Sequence, residues 1–176
     1  MSADFAKVIC FDMEMCCWSE RKGLGEIISI GICELNLHNG KVEREAHYYV
    51  KPVCDEVSDF CQNLTGITPA ILAKQGRPLE DVVNTIVKKF GFKRPFLAWG
   101  DDATYLARQC RRAGFTSPFR TTLDVGLIHK LKQRGGKNLS LTDALAKAGA
   151  PFQGRAHNAL ADAKNLATLI TKAQLI

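Results

Sequence analysis

The chain has 176 residues, 46% of them hydrophobic and 24% charged, which suits one compact domain with a full core and leaves no room for a second catalytic domain. Charge, Gly or Pro breaks the apolar positions every few residues, so no stretch approaches the roughly 20 apolar residues that span a bilayer, and no membrane role is expected. The net charge of +6 is concentrated: Arg108, Arg111, Arg112, Arg120, Lys130, Lys132, Arg134 and Lys137 face a single acid, Asp124, between 108 and 137, a balance that points to a polyanionic partner.

Residues 6–13 (AKVICFDM) are rich in β-formers and predict a strand. Residues 25–35 and 41–50 predict two more, with the turn-like His38-Asn39-Gly40 between them, so the simplest start is an antiparallel three-stranded meander. The pattern then becomes helical. Ser58 can cap a helix through Leu64, and Thr68-Pro69 opens another because Pro is preformed for the first helical position. Pro78 starts a third, in which Val82, Val83, Ile86, Val87 and Phe90 recur at helical spacing before Gly91. Residues 95–100 form a short strand, the segment from Asp101 is a helix closed by Gly114, and residues 121–133 run from a strand into a helix. Ser140 with Asp143 resembles a capping box, and a last helix begins near Ala159. Strands first, then strand–helix alternation, give an α/β fold with a mixed sheet flanked by helices, in a single domain over residues 1–176.

Seven Cys is an odd number, without a C-x-x-C, and suits free thiols in a reducing compartment. The first residues lack the basic and apolar regions of a secretory signal. A cytoplasmic location is the expectation.

Three groups of residues carry candidate chemistry. Asp12 and Glu14 end the first strand, and strand side chains alternate, so both carboxylates project from one face. Two acids so placed repel unless a cation lies between them, which invites Mg²⁺ or Mn²⁺, hard ions that take oxygen ligands and leave positions open for phosphates. Asp162 stands in the first turns of the last helix, between Ala161 and Ala163, whose small side chains let another element approach, and His157 lies just before that helix. Asp101 and Asp102 follow Trp99-Gly100 where a strand delivers the chain to a helix; one can serve as the N-cap, which leaves the other spare.

In that order, D-x-E, then an acid in a strand-to-helix turn, then His-x-x-x-x-Asp, the chain resembles the DEDDh branch of the DnaQ-like exonuclease superfamily, which has a ribonuclease-H-like fold. The segments Phe11-Asp12-Met13-Glu14, Glu26-Ile27-Ile28, Ser58-Asp59-Phe60-Cys61, Leu64-Thr65-Gly66-Ile67-Thr68 and Gly154 through Ala163 further resemble the Eri subgroup of 3′→5′ exoribonucleases, from residue 7 to about 170. The family usually has two more residues between its Trp-Gly and its catalytic Asp, so Asp101 and Asp102 both remain open for that role. Alignment of the helix through Leu106 and Cys110 selects Asp101.

The resemblance implies that Asp12, Glu14 and Asp162 hold one Mg²⁺ or Mn²⁺, that Asp12 also touches a second ion supported by Asp101 through water, and that His157 is the general base. It also implies that Glu14 and the backbone at Met15 recognise the terminal 3′-hydroxyl, and that Leu64 packs on the terminal base. Trp18 is a candidate for base stacking, and Lys132, Arg134 and Lys137 for tracking phosphates, around the flexible Gly135-Gly136. The expected reaction is hydrolysis of single-stranded RNA, or of a 3′ overhang, to nucleoside 5′-monophosphates. Single-stranded DNA as substrate shares every catalytic residue, and a non-catalytic RNA-binding module on the same fold is the third reading. No self-complementary surface is legible, so the oligomeric state stays open.

Overall fold

The computed structural model describes residues 6–176. Its five-stranded sheet has the order β3-β2-β1-β4-β5, with β1 Lys7–Met15, β2 Ile27–Asn36, β3 Lys41–Tyr49, β4 Phe96–Ala98 and β5 Thr122–Asp124. The first three strands form the expected antiparallel meander; β4 and β5 then add in parallel to β1, which makes the sheet mixed. Between the meander and β4 run α1 Asp59–Thr65, α2 Pro69–Gln75 and α3 Leu79–Phe90. Then come α4 Asp102–Arg112, α5 Val125–Lys132, α6 Leu141–Lys147 and α7 Ala159–Lys172.

The start signals read from the sequence act as expected. Ser58 accepts from Cys61 N–H, Thr68 from Ile71 N–H ahead of Pro69, and Ser140 from Asp143 N–H, each meeting a donor that the first helical turn leaves over. Pro78 precedes α3, whose Val82, Val83, Ile86 and Phe90 are buried at the predicted spacing.

Alternation along β1 divides the core in two. Ile9, Phe11, Met13 and Met15 pack with the apolar faces of α3 and α4, while Val8 and Cys10 pack with α6 and α7. Each large side chain fully removed from water, Phe11 among them, contributes roughly 1.5–3 kcal/mol. β2 is buried from Ile27 to Leu35 and includes the carboxylate of Glu34, which Arg44 and Arg94 engage from the rim. Asp12 and Glu14 lie on the α7 side of β1, so the acids meet a helix there and not open solvent.

One contact fixes where α7 begins. Gly31, opposite Asp12 in the β1–β2 ladder, has no side chain, and a Cβ there would lie 2.0 Å from the carbonyl carbon of Ala159 and 2.1 Å from the nitrogen of Leu160. The first turn of α7 therefore rests directly on the β2 backbone. Ala159 and Ala163 are fully buried against the sheet, and the Cys33 thiol donates to the Ala163 carbonyl at 3.5 Å. Ala163 is thus the small residue that permits close approach to the sheet, while Ala161 faces Gly154.

Candidate active site

The strand end of β1 and the first turn of α7 bring three acids together. Among the described residues, Asp12, Glu14 and Asp162 each offer an oxygen within 4.8 Å of the others. Asp162 Oδ2 is buried without a hydrogen-bond partner. An orphaned carboxylate oxygen facing two other acids is a costly arrangement that a cation relieves, and oxygen-only donors suit a hard divalent ion. The residues present therefore fit the group that the sequence implies.

The electrostatics point the same way. Burial, with Asp102, Asp162 and Glu14 adding repulsion, raises the Asp12 carboxyl well above the usual range. Burial and the charges of Asp162 and Asp102 push Glu14 up to about 8. Burial also lifts Asp162, to about 6, although His157 and the backbone N–H groups of Asn158 and His157 pull it down.

Of the two acids left open, the structure directs Asp102 towards this group. Burial, then the charges of Asp101, Asp124 and Asp162, push Asp102 up to about 7, and its own charge acts on Asp12 and Glu14. Asp101 is exposed, occupies the N-cap position of α4, and its carboxylate accepts from Thr104 Oγ1 at 3.5 Å. The cause is helical periodicity: Asp102, Leu106 and Cys110 stand four residues apart on one face, and Leu106 and Cys110 are buried. The same two residues that selected Asp101 by alignment place Asp102 on the inward face in space.

His157 is exposed and sits in the left-handed region at φ 61°, while the next residue, Asn158, caps α7 by accepting from Ala161 N–H at 3.0 Å. With Asp12, Glu14, Trp99, Ser140 and Asp162 it lines a hollow of about 230 Å³. A larger hollow of about 670 Å³ lies beside α4 and holds none of these acids, so size does not locate the site.

The remaining expected contacts separate. Met15 is buried, and its carbonyl accepts from the Cys61 thiol at 3.6 Å. Leu64 is half-buried on α1. Trp18 is half-buried against the Cys16, Val57 and Cys61 cluster with the Arg21 guanidinium 4.3 Å over its ring, so that face is already covered. Lys132 donates to the carbonyls of Ala173 and Gln174, which close α7, and is committed to that helix end. Arg134 and Lys137 are exposed; Lys137 lines a hollow of about 230 Å³ with Lys130, Lys147, His129 and the two glycines 135 and 136.

Sequence reasoning passed over four residues. Gly31 seats α7, and an isolated Gly inside a strand pattern is the usual sign of a close backbone approach. Asp124 accepts from Gly100 N–H at 2.9 Å and from Leu127 N–H at 3.0 Å, so the lone acid of the basic stretch holds the turn that presents Asp102. The Trp99 indole, which donates to the Leu139 carbonyl at 3.2 Å, walls the hollow. Glu26 accepts from the N–H groups of Val53, Cys54 and Asp55, tying the loop after β3 to the start of β2.

Comparison with known proteins identifies the family. Residues 9–170 match the family described as Exonuclease. The 3′-5′ exonuclease Snipper of Drosophila melanogaster is 30% identical over 96% of this chain and 69% of its own length. ERI1 exoribonuclease 2 of Xenopus laevis is also 30% identical over 96% of this chain, which spans only 28% of that longer protein. The nuclease domain of 3′hExo, a DEDDh family member solved with rAMP, superposes with a TM-score of 0.88 over 99% of this chain and 94% of that one at 24% identity, a likeness of fold. On these matches the chain belongs to the exonuclease family, and its likeness to Snipper over most of both chains sets it among the 3′→5′ exonucleases.

Proposed function

We propose that this chain removes nucleotides one at a time from the free 3′ end of single-stranded RNA, or of a 3′ overhang, and releases nucleoside 5′-monophosphates. The observation that carries the reading is the convergence of Asp12, Glu14 and Asp162 within 4.8 Å around an unpartnered Asp162 oxygen. Asp12, Glu14 and Asp162 would hold one Mg²⁺ or Mn²⁺, and Asp12 with Asp102 a second. When bound, such ions neutralise the phosphate and stabilise the attacking and leaving oxygens. Asp102 takes the fourth acid's role here in place of Asp101, because its charge reaches the group and Asp101 is turned out to solvent.

His157 is the base. An uncharged imidazole keeps a lone pair on one ring nitrogen, which can accept a proton from the attacking water. The exposed position of His157 at the rim lets that proton pass on to solvent. Glu14 and the Met15 backbone would receive the terminal 3′-hydroxyl, a group that a continuing strand lacks. Leu64 offers an apolar surface to the last base. Lys130, Lys137 and Lys147 supply the positive rim for upstream phosphates, with Lys132 excluded by its bonds to α7. RNA is favoured by the exoribonuclease relatives. The reading takes residues 1–176 as one exonuclease domain, and seven free thiols support a reducing, cytoplasmic setting. Among the described residues no helix is long and apolar enough to cross a membrane.

The test uses RNA and DNA strands labelled at either end, with Mg²⁺, Mn²⁺ or EDTA. A 5′ label should give a ladder shortened from the 3′ end, and a 3′ label should be released at once as mononucleotide. Activity that survives EDTA, or internal fragments, would refute the reading.

A further inference from the structure

The short helix α1 is anchored to both walls of the cleft. On one side, Ser58 Oγ donates to the Cys17 carbonyl at 2.6 Å and the Cys61 thiol donates to the Met15 carbonyl at 3.6 Å, which ties the helix to the end of β1 just beyond Glu14. At its C-terminus, Gly66 adopts a left-handed φ of 77° and sends its N–H to the Gln62 carbonyl. The carbonyls of Asn63 and Leu64 then have no intrahelical donor, as the last turn of any helix requires. Arg155 supplies one from the loop after α6: its Nη2 donates to the Asn63 carbonyl at 2.7 Å and to the Leu64 carbonyl at 3.1 Å.

The fit at this crossing is close. A Cβ on residue 66 would lie 2.6 Å from Arg155 Nη1, so glycine there serves the left-handed turn and also gives the guanidinium its passage. Two residues after Arg155 stands His157 at φ 61°, a conformation that a non-glycine residue keeps only when its surroundings hold it. The Asn158 cap holds the turn on the α7 side. On the other side the hold is Arg155.

We propose that Arg155 is a positioning residue for hydrolysis, clasping the His157 turn to the helix that carries Leu64 so that the proton acceptor and the terminal nucleotide share one frame. The inference rests on the reading of His157 as base. Arg suits the task because the two hydrogens of its Nη2 are held in the guanidinium plane and reach two neighbouring carbonyls, whereas a Lys ammonium is a single point charge on a flexible stem. Without the clasp the turn keeps only its helix cap, and a misplacement of about 1 Å in a reacting group can cost on the order of 100-fold in rate.

The experiment measures steady-state trimming of a labelled RNA oligonucleotide by the wild type, Arg155→Ala, Arg155→Lys, His157→Ala and the Arg155→Ala/His157→Ala double variant, with Mn²⁺ affinity and thermal midpoint for each. Arg155→Ala should lower kcat by about 30- to 100-fold, with KM within about threefold and Mn²⁺ affinity unchanged. Arg155→Lys should recover part of the loss, and it carries the comparison if the Ala variant is unfolded at the assay temperature. In the His157→Ala background, Arg155→Ala should cost less than about threefold, because the group it positions is gone. Equal costs in both backgrounds, or a raised KM with kcat intact, overturn the clasp alone. A His157→Ala enzyme with wild-type kcat overturns the base assignment and the clasp with it.

Discussion

Gly31→Ala tests whether the seat of α7 on β2 sets the acid cluster. The added methyl would meet the Ala159 carbonyl carbon at 2.0 Å, and ordinary van der Waals contact begins at 3.4 Å, so the first turn of α7 must retreat by about 1.4 Å. Truncating a neighbour cannot relieve the clash, because the atoms met are backbone carbon, nitrogen and oxygen. Asp162 is three residues further along the same helix and moves with it, whereas Asp12 and Glu14 stay on β1. Metal–ligand distances tolerate only about 0.2 Å, so the displacement is several times what one coordination shell absorbs. Overpacking of this kind costs about 1–3 kcal/mol of stability, or roughly 2–12 °C in midpoint for a chain of this size. Three measurements on the purified variant suffice: thermal midpoint, Mn²⁺ titration and single-turnover trimming. The expected result is a folded protein with weakened Mn²⁺ binding and a rate reduced by about 100-fold or more. Wild-type rate and Mn²⁺ affinity in Gly31→Ala would show that α7 does not need this seat to present Asp162.

Asp102→Asn should reduce trimming by at least about 100-fold while Asp101→Asn stays within about threefold of wild type, and the reverse order in the same assay returns the fourth acid's role to Asp101. Asp162, Asp102 and Glu14 are raised to about 6, 7 and 8, above their unfolded values, so their folded-state advantage is full below about pH 4 and is lost as pH rises through that window. The metal-free protein should therefore melt lower at about pH 8.5 than at about pH 5.5, and Mn²⁺ should raise the midpoint more at the higher pH; a flat metal-free profile would contradict the assignment. Replacing Lys130, Lys137 and Lys147 by Ala should raise KM with kcat unchanged and flatten the dependence of log affinity on log salt by about 0.7 for each phosphate no longer neutralised, whereas an unchanged slope removes them from the substrate path.

What the sequence made legible was local. Alternation along β1 put Asp12 and Glu14 on one face, and Ser58, Thr68 and Ser140 marked helix starts, because caps and strand faces are set within a few residues. The properties that escaped depend on two distant segments meeting. Lys132 reads as a phosphate ligand until α7 ends beside it and takes its ammonium on the Ala173 carbonyl. Trp18 reads as a stacking platform until Val57 and Cys61 of a distant segment pack against it, with Arg21 over its ring. Asp101 and Asp102 differ by one step of a helix, about 100° of rotation, and only the burial of Leu106 and Cys110 decides which acid turns inward. The four-residue spacing from Asp102 through Leu106 to Cys110 is itself local, so that distinction lies within reach of helical periodicity alone.

The acids come from three elements, and each element is anchored by bonds that do not involve the acids. β1 is held by β2 and β4 on either side. The turn before α4 is held by Asp124 through Gly100, and α7 by its seat on Gly31 and by the Cys33–Ala163 bond. Mutual repulsion among the carboxylates therefore works against anchored backbones, so it appears as carboxyls that hold their protons to higher pH and not as a rearranged fold. A cation entering such a site would find these carboxylates already in place and would have only their protons to displace. The cost of holding four acids together falls on stability at alkaline pH, and the gain is a cleft whose charge is arranged before substrate arrives, the condition under which electrostatic stabilisation needs no reorganisation during reaction.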